Sequence, residues 1–170
     1  MKSNTDRIEK TVLLKAPLER VWQAVTDSRA FGHWFGAEFD GPFVAGETTT
    51  GRIVGTRIDD SVAEMQKPYF GMACDFMIER IEPMQLFSFH WETYPVDNEH
   101  SDEDPPITLV TFRFEEVAGG TQLTITESGF DKIPLARRVQ AFADNEQGWE
   151  VQSGLLAKYL SRNAQVSWTG

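Results

Sequence analysis

The feature that most constrains the fold is a long helical pattern at the C-terminal end of the chain, from about Leu135 to Ser161. Its large apolar residues, among them Phe142, Trp149 and Leu156, share one broad stripe at helical spacing. A helix of about 25 residues is roughly 38 Å long. Because a helix of that length can run across a whole sheet, its apolar stripe predicts a large β-sheet as its packing partner.

The middle of the chain alternates apolar and polar residues with a period of two, which predicts antiparallel strands. The inward-facing positions of these strands are Phe70, Met72, Cys74, Phe76, Ile78, Phe87, Phe89, Trp91, Val110, Phe112, Phe114, Leu123 and Ile125. A change of phase at Arg80 and Ile81 predicts a β-bulge. The glycines that follow Ala118 predict a hairpin turn. Together these segments predict one curved sheet.

The N-terminal part predicts a strand over Ile8 to Lys15, followed by two short helices. The first covers Leu18 to Thr26, with Pro17 suited to its first turn, and the second covers residues 29–36 and ends at a glycine. Two segments are predicted to be loops, namely the acidic residues 94–107 and residues 58–68. Strand pairing between Thr48 and Pro68 is left open.

This order of elements resembles the branch of the START/Bet v 1-like (SRPBCC) superfamily that is named after the activator of Hsp90 ATPase homologue 1 (AHSA1-like). The resemblance rests on APLERVWQAVTDSRAFGHWFG near the start and on TITESGFDKIP and NEQGWEVQSGLLAKYL near the end, and it covers about Ile8 to Leu160. It implies an α+β helix-grip fold, in which a curved antiparallel sheet wraps around the long C-terminal helix. Residues 1–170 are expected to form a single domain of this kind.

Composition excludes several classes of function. The net charge of -10, with no basic cluster, argues against nucleic-acid binding. There is no secretory signal and no run of about 20 apolar residues, so neither export nor membrane insertion is expected. A single cysteine, Cys74, excludes an intrachain disulfide and favours a reducing cytoplasm. Neither a metal motif nor a cofactor motif is present, and exposed strand edges permit a homodimer.

A bent sheet around one helix leaves a space lined by aromatic side chains, where a small apolar molecule could bind. The residues predicted to contact such a ligand are Trp34, Phe35, Phe76, Phe89, Trp91, Phe112, Glu127 and Trp149. Each aromatic residue among them could instead serve the core alone, with Trp34 and Phe35 forming a plug or a lid. Gly148, in the helix interior, either allows close packing of a strand or opens a notch into the cavity.

Glu127 is the most informative polar position, because the parity of its strand points it inward. An inward carboxylate lies either at an open end of the cavity or beside a partner, such as Arg113, Arg137 or Arg138. The first interpretation makes it a ligand anchor or a general acid/base. The second makes it a structural group.

Three functions therefore remain open. The absence of a catalytic motif favours non-catalytic binding of a small hydrophobic ligand, and no catalytic residue is assigned. The first alternative is a cyclase- or hydrolase-like enzyme that uses Glu127 or His33 as acid/base on an apolar substrate. The second, a chaperone activator of the Hsp90 type, is implied only by the family resemblance.

Overall fold

A computed structural model of the chain describes residues 7–92, 107–130, 133 and 135–167. Side chains are described within these ranges except at 135–137 and 162–167. Residues 93–106 lie outside the described residues. They include His100 and all of the predicted acidic loop except its last residue, Ile107.

Within the ranges that the structure describes, eight strands form two antiparallel sheets. The strands are β1 (Arg7–Leu14), β2 (Ala37–Phe39), β3 (Thr48–Thr49), β4 (Gly51–Ile53), β5 (Phe76–Glu82), β6 (Leu86–Glu92), β7 (Ile107–Val117) and β8 (Gly120–Ser128). The larger sheet has the order β1-β8-β7-β6-β5-β3, and β2 pairs with β4. The pairing of β7 with β8 closes the predicted hairpin, with Val117 opposite Gly120. The predicted bulge is present as a register shift between Ile78 and Arg80.

The described part of the chain also contains four α-helices. They are α1 (Leu18–Thr26), α2 (Ser28–Phe35), α3 (Asp60–Gln66) and α4 (Leu135–Ser167), and a short 3-10 helix follows α3 (Lys67–Tyr69). The α+β helix-grip fold predicted from the sequence is confirmed, with two short helices after the first strand and one long C-terminal helix. Within the described residues, no helix combines the length and apolar character needed to cross a membrane.

Helix α2 is fixed at both ends by its own sequence. The Asp27 side chain accepts hydrogen bonds from the backbone N–H groups of Arg29 and Ala30, which caps the first turn. Gly36 ends the helix in a left-handed conformation with a φ of 101°. A Cβ on Gly32 would lie 2.2 Å from the Ala37 carbonyl oxygen, so this glycine allows β2 to pack against the helix.

Two expectations for the middle of the chain are wrong. Residues 58–68, predicted to be a loop, contain α3, because the Asp59 carboxylate caps its N-terminus and accepts a hydrogen bond from Lys158 of α4 at 2.6 Å. The hydrogen bond from Lys158 is the main reason that the pKa of Asp59 lies well below its usual range. The strand predicted from Phe70 begins only at Phe76, since the preceding residues make one isolated bridge, and Phe70 itself is 45% exposed.

Candidate functional site

The space between the large sheet and the helices is filled by aromatic rings. The Phe31 ring centroid lies 4.6 to 6.5 Å from those of Trp34, Phe35, Phe39, Phe43, Phe76, Phe89 and Phe112. Phe76 and Phe89, on neighbouring strands, stack with centroids 3.9 Å apart and ring planes within 8°. Alternation in β5, β6 and β7 directs these side chains inward. The interior of the domain is therefore largely packed.

A cavity of about 110 Å³ remains where α4 passes the ends of the aromatic packing. It is lined by Phe35, Trp91, Asp144, Asn145, Gly148, Trp149 and Gln152, and we call it the tryptophan cavity. An apolar cavity of roughly 150 Å³ is known to hold benzene. By that measure, the tryptophan cavity, at about 110 Å³, has room for about four to five non-hydrogen atoms. A larger depression of about 650 Å³ lies beside the β7–β8 turn, but it is shallow and no aromatic side chain lines it.

Glu127 lies directly behind this cavity and is fully buried. Its carboxylate accepts hydrogen bonds from Trp149 Nε1 at 2.8 Å and from Trp91 Nε1 at 2.9 Å. The Thr108 hydroxyl donates to the same carboxylate, as does Asn145 Nδ2 at 3.1 Å. These five residues form the Glu127 cluster. Four donors from the described part of the chain around two oxygens suit an ionised carboxylate, which only accepts hydrogen bonds.

The Glu127 cluster orients the walls of the cavity. Trp91 comes from β6 and Trp149 from α4, so the carboxylate joins the sheet to the helix through two indole N–H groups. An indole ring whose N–H is fixed by a charged acceptor has little freedom to rotate. Of the two interpretations of this inward carboxylate, the structure supports the one with a partner. The described partners are Trp91, Thr108, Asn145 and Trp149, and the side chain of Arg137, one of the arginines expected, lies outside the described residues.

Gln152 contributes the polar feature of the cavity that is hardest to explain by packing alone. Its Nε2 donates to the Phe35 carbonyl oxygen at 3.1 Å, which fixes the orientation of the side-chain amide. Its Oε1 is then buried and accepts no hydrogen bond from the described part of the chain. A buried amide oxygen without a donor costs about 1–3 kcal/mol, and the residue that bears it is one of those that line the cavity.

Gly148 is part of the cavity lining and does not serve close packing. A Cβ built on this residue would meet no atom within 4 Å, and the residue is exposed at the cavity lining. The explanation by tight helix-to-sheet contact is therefore wrong. That this glycine opens a notch into the cavity stays a prediction.

The residues predicted to bind a ligand fall into three groups. Phe35, Trp91 and Trp149 line the cavity. Phe76, Phe89 and Phe112 are fully buried in the aromatic interior, where Trp34 also lies with its Nε1 donating to the Ala24 carbonyl. Glu127 lies behind the two indoles. Contact with a ligand stays a prediction for all eight residues.

Sequence reasoning missed Asn145, Gln152 and Thr108. The first two could have been found from helical spacing, because Asn145 precedes Trp149 by four residues and Gln152 follows it by three. Thr108 required the strand register. It pairs with Trp91 and lies on the same face of β7 as Val110, the partner of Glu127.

The other candidate reactive groups lie away from the cavity. His33 is exposed, with its ring 5.6 Å from that of Tyr159, and it is not part of the cavity lining. Cys74 is buried, and desolvation raises the pKa of its thiol to about 12. In the described residues, no group of three or more His, Cys, Asp or Glu side chains could hold a metal ion.

The raised pKa of Cys74 predicts that the thiol is unreactive in the folded protein. A rise from 9.0 to about 12 leaves on the order of a thousandfold less thiolate at pH 8, and the thiolate is the reactive form. Labelling with a thiol reagent is expected to be at least about 100-fold slower for native protein than in concentrated guanidinium chloride. Native and unfolded rates within tenfold of each other would contradict the burial of this residue.

Comparisons with known proteins agree with this architecture. The fold is similar to that of a Mesorhizobium loti protein, with 21% identity, coverage of 92% of this chain and 97% of that chain, and a TM-score of 0.67. It is also similar to the Aha1 dimer from Colwellia psychrerythraea, with 19% identity, coverage of 91% and 95%, and a TM-score of 0.62. No curated protein matches the sequence.

A third similar structure is DynU16, a protein of the dynemicin biosynthetic locus, with 25% identity and a TM-score of 0.65. The match covers 92% of this chain but only 47% of DynU16, so the chain spans about half of that protein. The family model described as "Activator of Hsp90 ATPase homolog 1-like protein" matches residues 15–161. Because this model covers most of the sequence, the chain belongs to the family of activator of Hsp90 ATPase homolog 1-like proteins.

Proposed function

We propose that the chain binds a small, mainly apolar ligand, or the small end group of a larger one, in the tryptophan cavity. The observation that carries this proposal is the lining of the cavity, which combines the rings of Phe35, Trp91 and Trp149 with the polar residues Asp144, Asn145 and Gln152. Ligand sites combine such walls with a few placed polar groups. The SRPBCC fold of the family commonly binds hydrophobic ligands, which supports the proposal.

The volume of the cavity restricts what can bind. At about 110 Å³, it is smaller than the roughly 300 Å³ at the lower end of ordinary ligand pockets. The packed rings of Phe76, Phe89 and Phe112 occupy the interior behind it. A larger molecule would therefore insert one group and leave the rest at the mouth beside Gly148.

Binding has more support than catalysis in this site. A general base needs a free lone pair directed at the substrate, whereas both Glu127 oxygens already accept hydrogen bonds from side chains of the cluster. His33, the other candidate, does not line the cavity. Chaperone activation and dimer formation rest only on the names of related proteins, and for this chain they stay predictions.

Filling the notch at Gly148 is expected to abolish ligand binding without unfolding the protein. Leucine at this position meets no atom of the folded chain at its Cβ, and in a helix it is more favourable than glycine by roughly 0.8 kcal/mol. Its side chain would cover the mouth beside Trp149. A set of small aromatic and aliphatic alcohols, amides and amines, scored by thermal shift and tryptophan fluorescence, measures the loss.

Gly154→Leu is the matched control for this experiment. Gly154 is also exposed on α4 with no atom within 4 Å of an added Cβ, but it does not line the cavity. Both variants should gain similar stability, and only Gly148→Leu should lose its response to compounds that stabilise the wild type. If Gly148→Leu keeps that response, the ligand binds elsewhere and the proposal fails.

A further inference from the structure

We propose that the tryptophan cavity prefers a protonated alkylammonium group to a neutral group of the same size. This inference rests on the proposed function and adds the charge of the ligand to it. It follows from three features of the cavity, namely its aromatic walls, the carboxylate behind them and the carboxylate of Asp144 in its lining.

The aromatic walls come from three mutually tilted rings. The centroid of Phe35 lies 6.0 Å from that of Trp91 and 6.3 Å from that of Trp149, and the two indole centroids are 5.6 Å apart. The face of an aromatic ring attracts a cation within about 6 Å of its centroid, and tryptophan does so most strongly. A cation in this cavity would contact rings from three separate elements.

The Glu127 carboxylate increases this preference in two ways. It accepts hydrogen bonds from both indole N–H groups. A negatively charged acceptor polarises the indole and so increases the electron density on the ring face that the cation contacts. Its negative charge also lies in the buried layer directly behind Trp91 and Trp149, where attraction to a cation is weakly screened.

The rim of the cavity offers acceptors to an ammonium group. Asp144 is one of the lining residues, and its carboxylate accepts a hydrogen bond from Gln140 Nε2 at 2.8 Å while keeping further lone pairs for a cation. The amide donor of Asn145 is already directed at Glu127. None of the seven lining residues is a lysine, an arginine or a histidine. An ammonium group in the cavity would therefore meet no positively charged side chain among the lining residues and would lie near the carboxylate of Asp144.

Net charge and cavity size agree with such a ligand. The chain carries a net charge of -10, so its field concentrates cations and repels anions near the surface. Butylammonium has five non-hydrogen atoms, which is about the number that the cavity can hold by comparison with benzene. Like the lysine amine, it is protonated at pH 7.

The test compares butylammonium with butan-1-ol, which has the same number of non-hydrogen atoms and also donates a hydrogen bond. Dissociation constants are measured by tryptophan fluorescence and calorimetry at pH 7, at two ionic strengths. Butylammonium is expected to bind about 10-fold more tightly or better, with a margin that narrows as salt increases. Equal affinities, or tighter binding of the alcohol, would overturn the inference and leave the proposed function standing.

Asp144→Asn provides the matching variant. It should weaken butylammonium about threefold and leave butan-1-ol unchanged. Glu146 is an exposed residue of α4 outside the cavity lining. Glu146→Gln makes the same change in net charge, and it should leave the dissociation constants of both compounds unchanged. If both variants weaken butylammonium equally, the preference arises from net charge and the inference fails. If no small compound binds the wild type at all, the proposed function fails with it.

Discussion

Replacing Phe89 with alanine is expected to lower the free energy of unfolding by about 3–5 kcal/mol, the range for truncating a well-packed phenylalanine. Phe89 is fully buried and stacks on Phe76 at 3.9 Å, and its centroid lies 5.7 Å from that of Trp91. Truncation removes these contacts and leaves a cavity that the surrounding strands cannot close. Urea unfolding at constant m-value measures the loss.

The same variant tests whether the interior is packed with rings or hollow. If it is packed, Phe89→Ala creates an apolar cavity, and benzene should raise its melting temperature more than that of the wild type. Phe70→Ala is the control, because Phe70 is 45% exposed and its truncation should cost less than about 1 kcal/mol. A loss below 1 kcal/mol for Phe89→Ala would indicate a hollow interior that was never filled by this ring.

Alternation along the strands could predict the aromatic interior, because every second residue of a half-buried strand points to the same face. It placed Phe76, Phe89 and Phe112 correctly for that reason. Alternation could not predict where β5 begins, since Phe70 and Met72 continue the pattern while the partner strand β3 supplies only two residues. A strand ends where its hydrogen-bonding partner ends, and this information is not local.

The site was predictable only in part. Strand parity pointed Glu127 inward, and the helical stripe carried Trp149 to the same place. Strand parity could not show that Trp91 and Thr108 also donate hydrogen bonds to Glu127, because this depends on the register that pairs these two residues on neighbouring strands. The cavity volume could not be inferred, because about 110 Å³ is the small remainder left after many large rings pack. Aromatic content predicts that such rings meet, but it does not predict the space left over.

Glu127→Gln is expected to lower the free energy of unfolding by about 2–5 kcal/mol. The glutamine amide keeps one acceptor oxygen, but its NH₂ group faces donors, so the indole N–H of Trp91 or of Trp149 and a second donor of the cluster lose their acceptor. A buried donor without an acceptor costs about 1–3 kcal/mol. Glu115→Gln, on the exposed face of β7, should change stability by less than about 0.5 kcal/mol.

A double-mutant cycle with Trp149→Phe separates the hydrogen bond from a general loss of packing. Trp149→Phe removes the donor that contacts Glu127 Oε1 at 2.8 Å, so part of the cost of Glu127→Gln should disappear in the double variant. A coupling energy above about 0.5 kcal/mol is expected for groups in direct contact. If the two effects add, or if Glu127→Gln is as stable as Glu115→Gln, the carboxylate does not hold the helix to the sheet. If the two residues are coupled, the carboxylate that stabilises the fold also fixes the indole rings of Trp91 and Trp149 in the cavity wall. Glu127→Gln should then weaken ligand binding even where the protein remains folded.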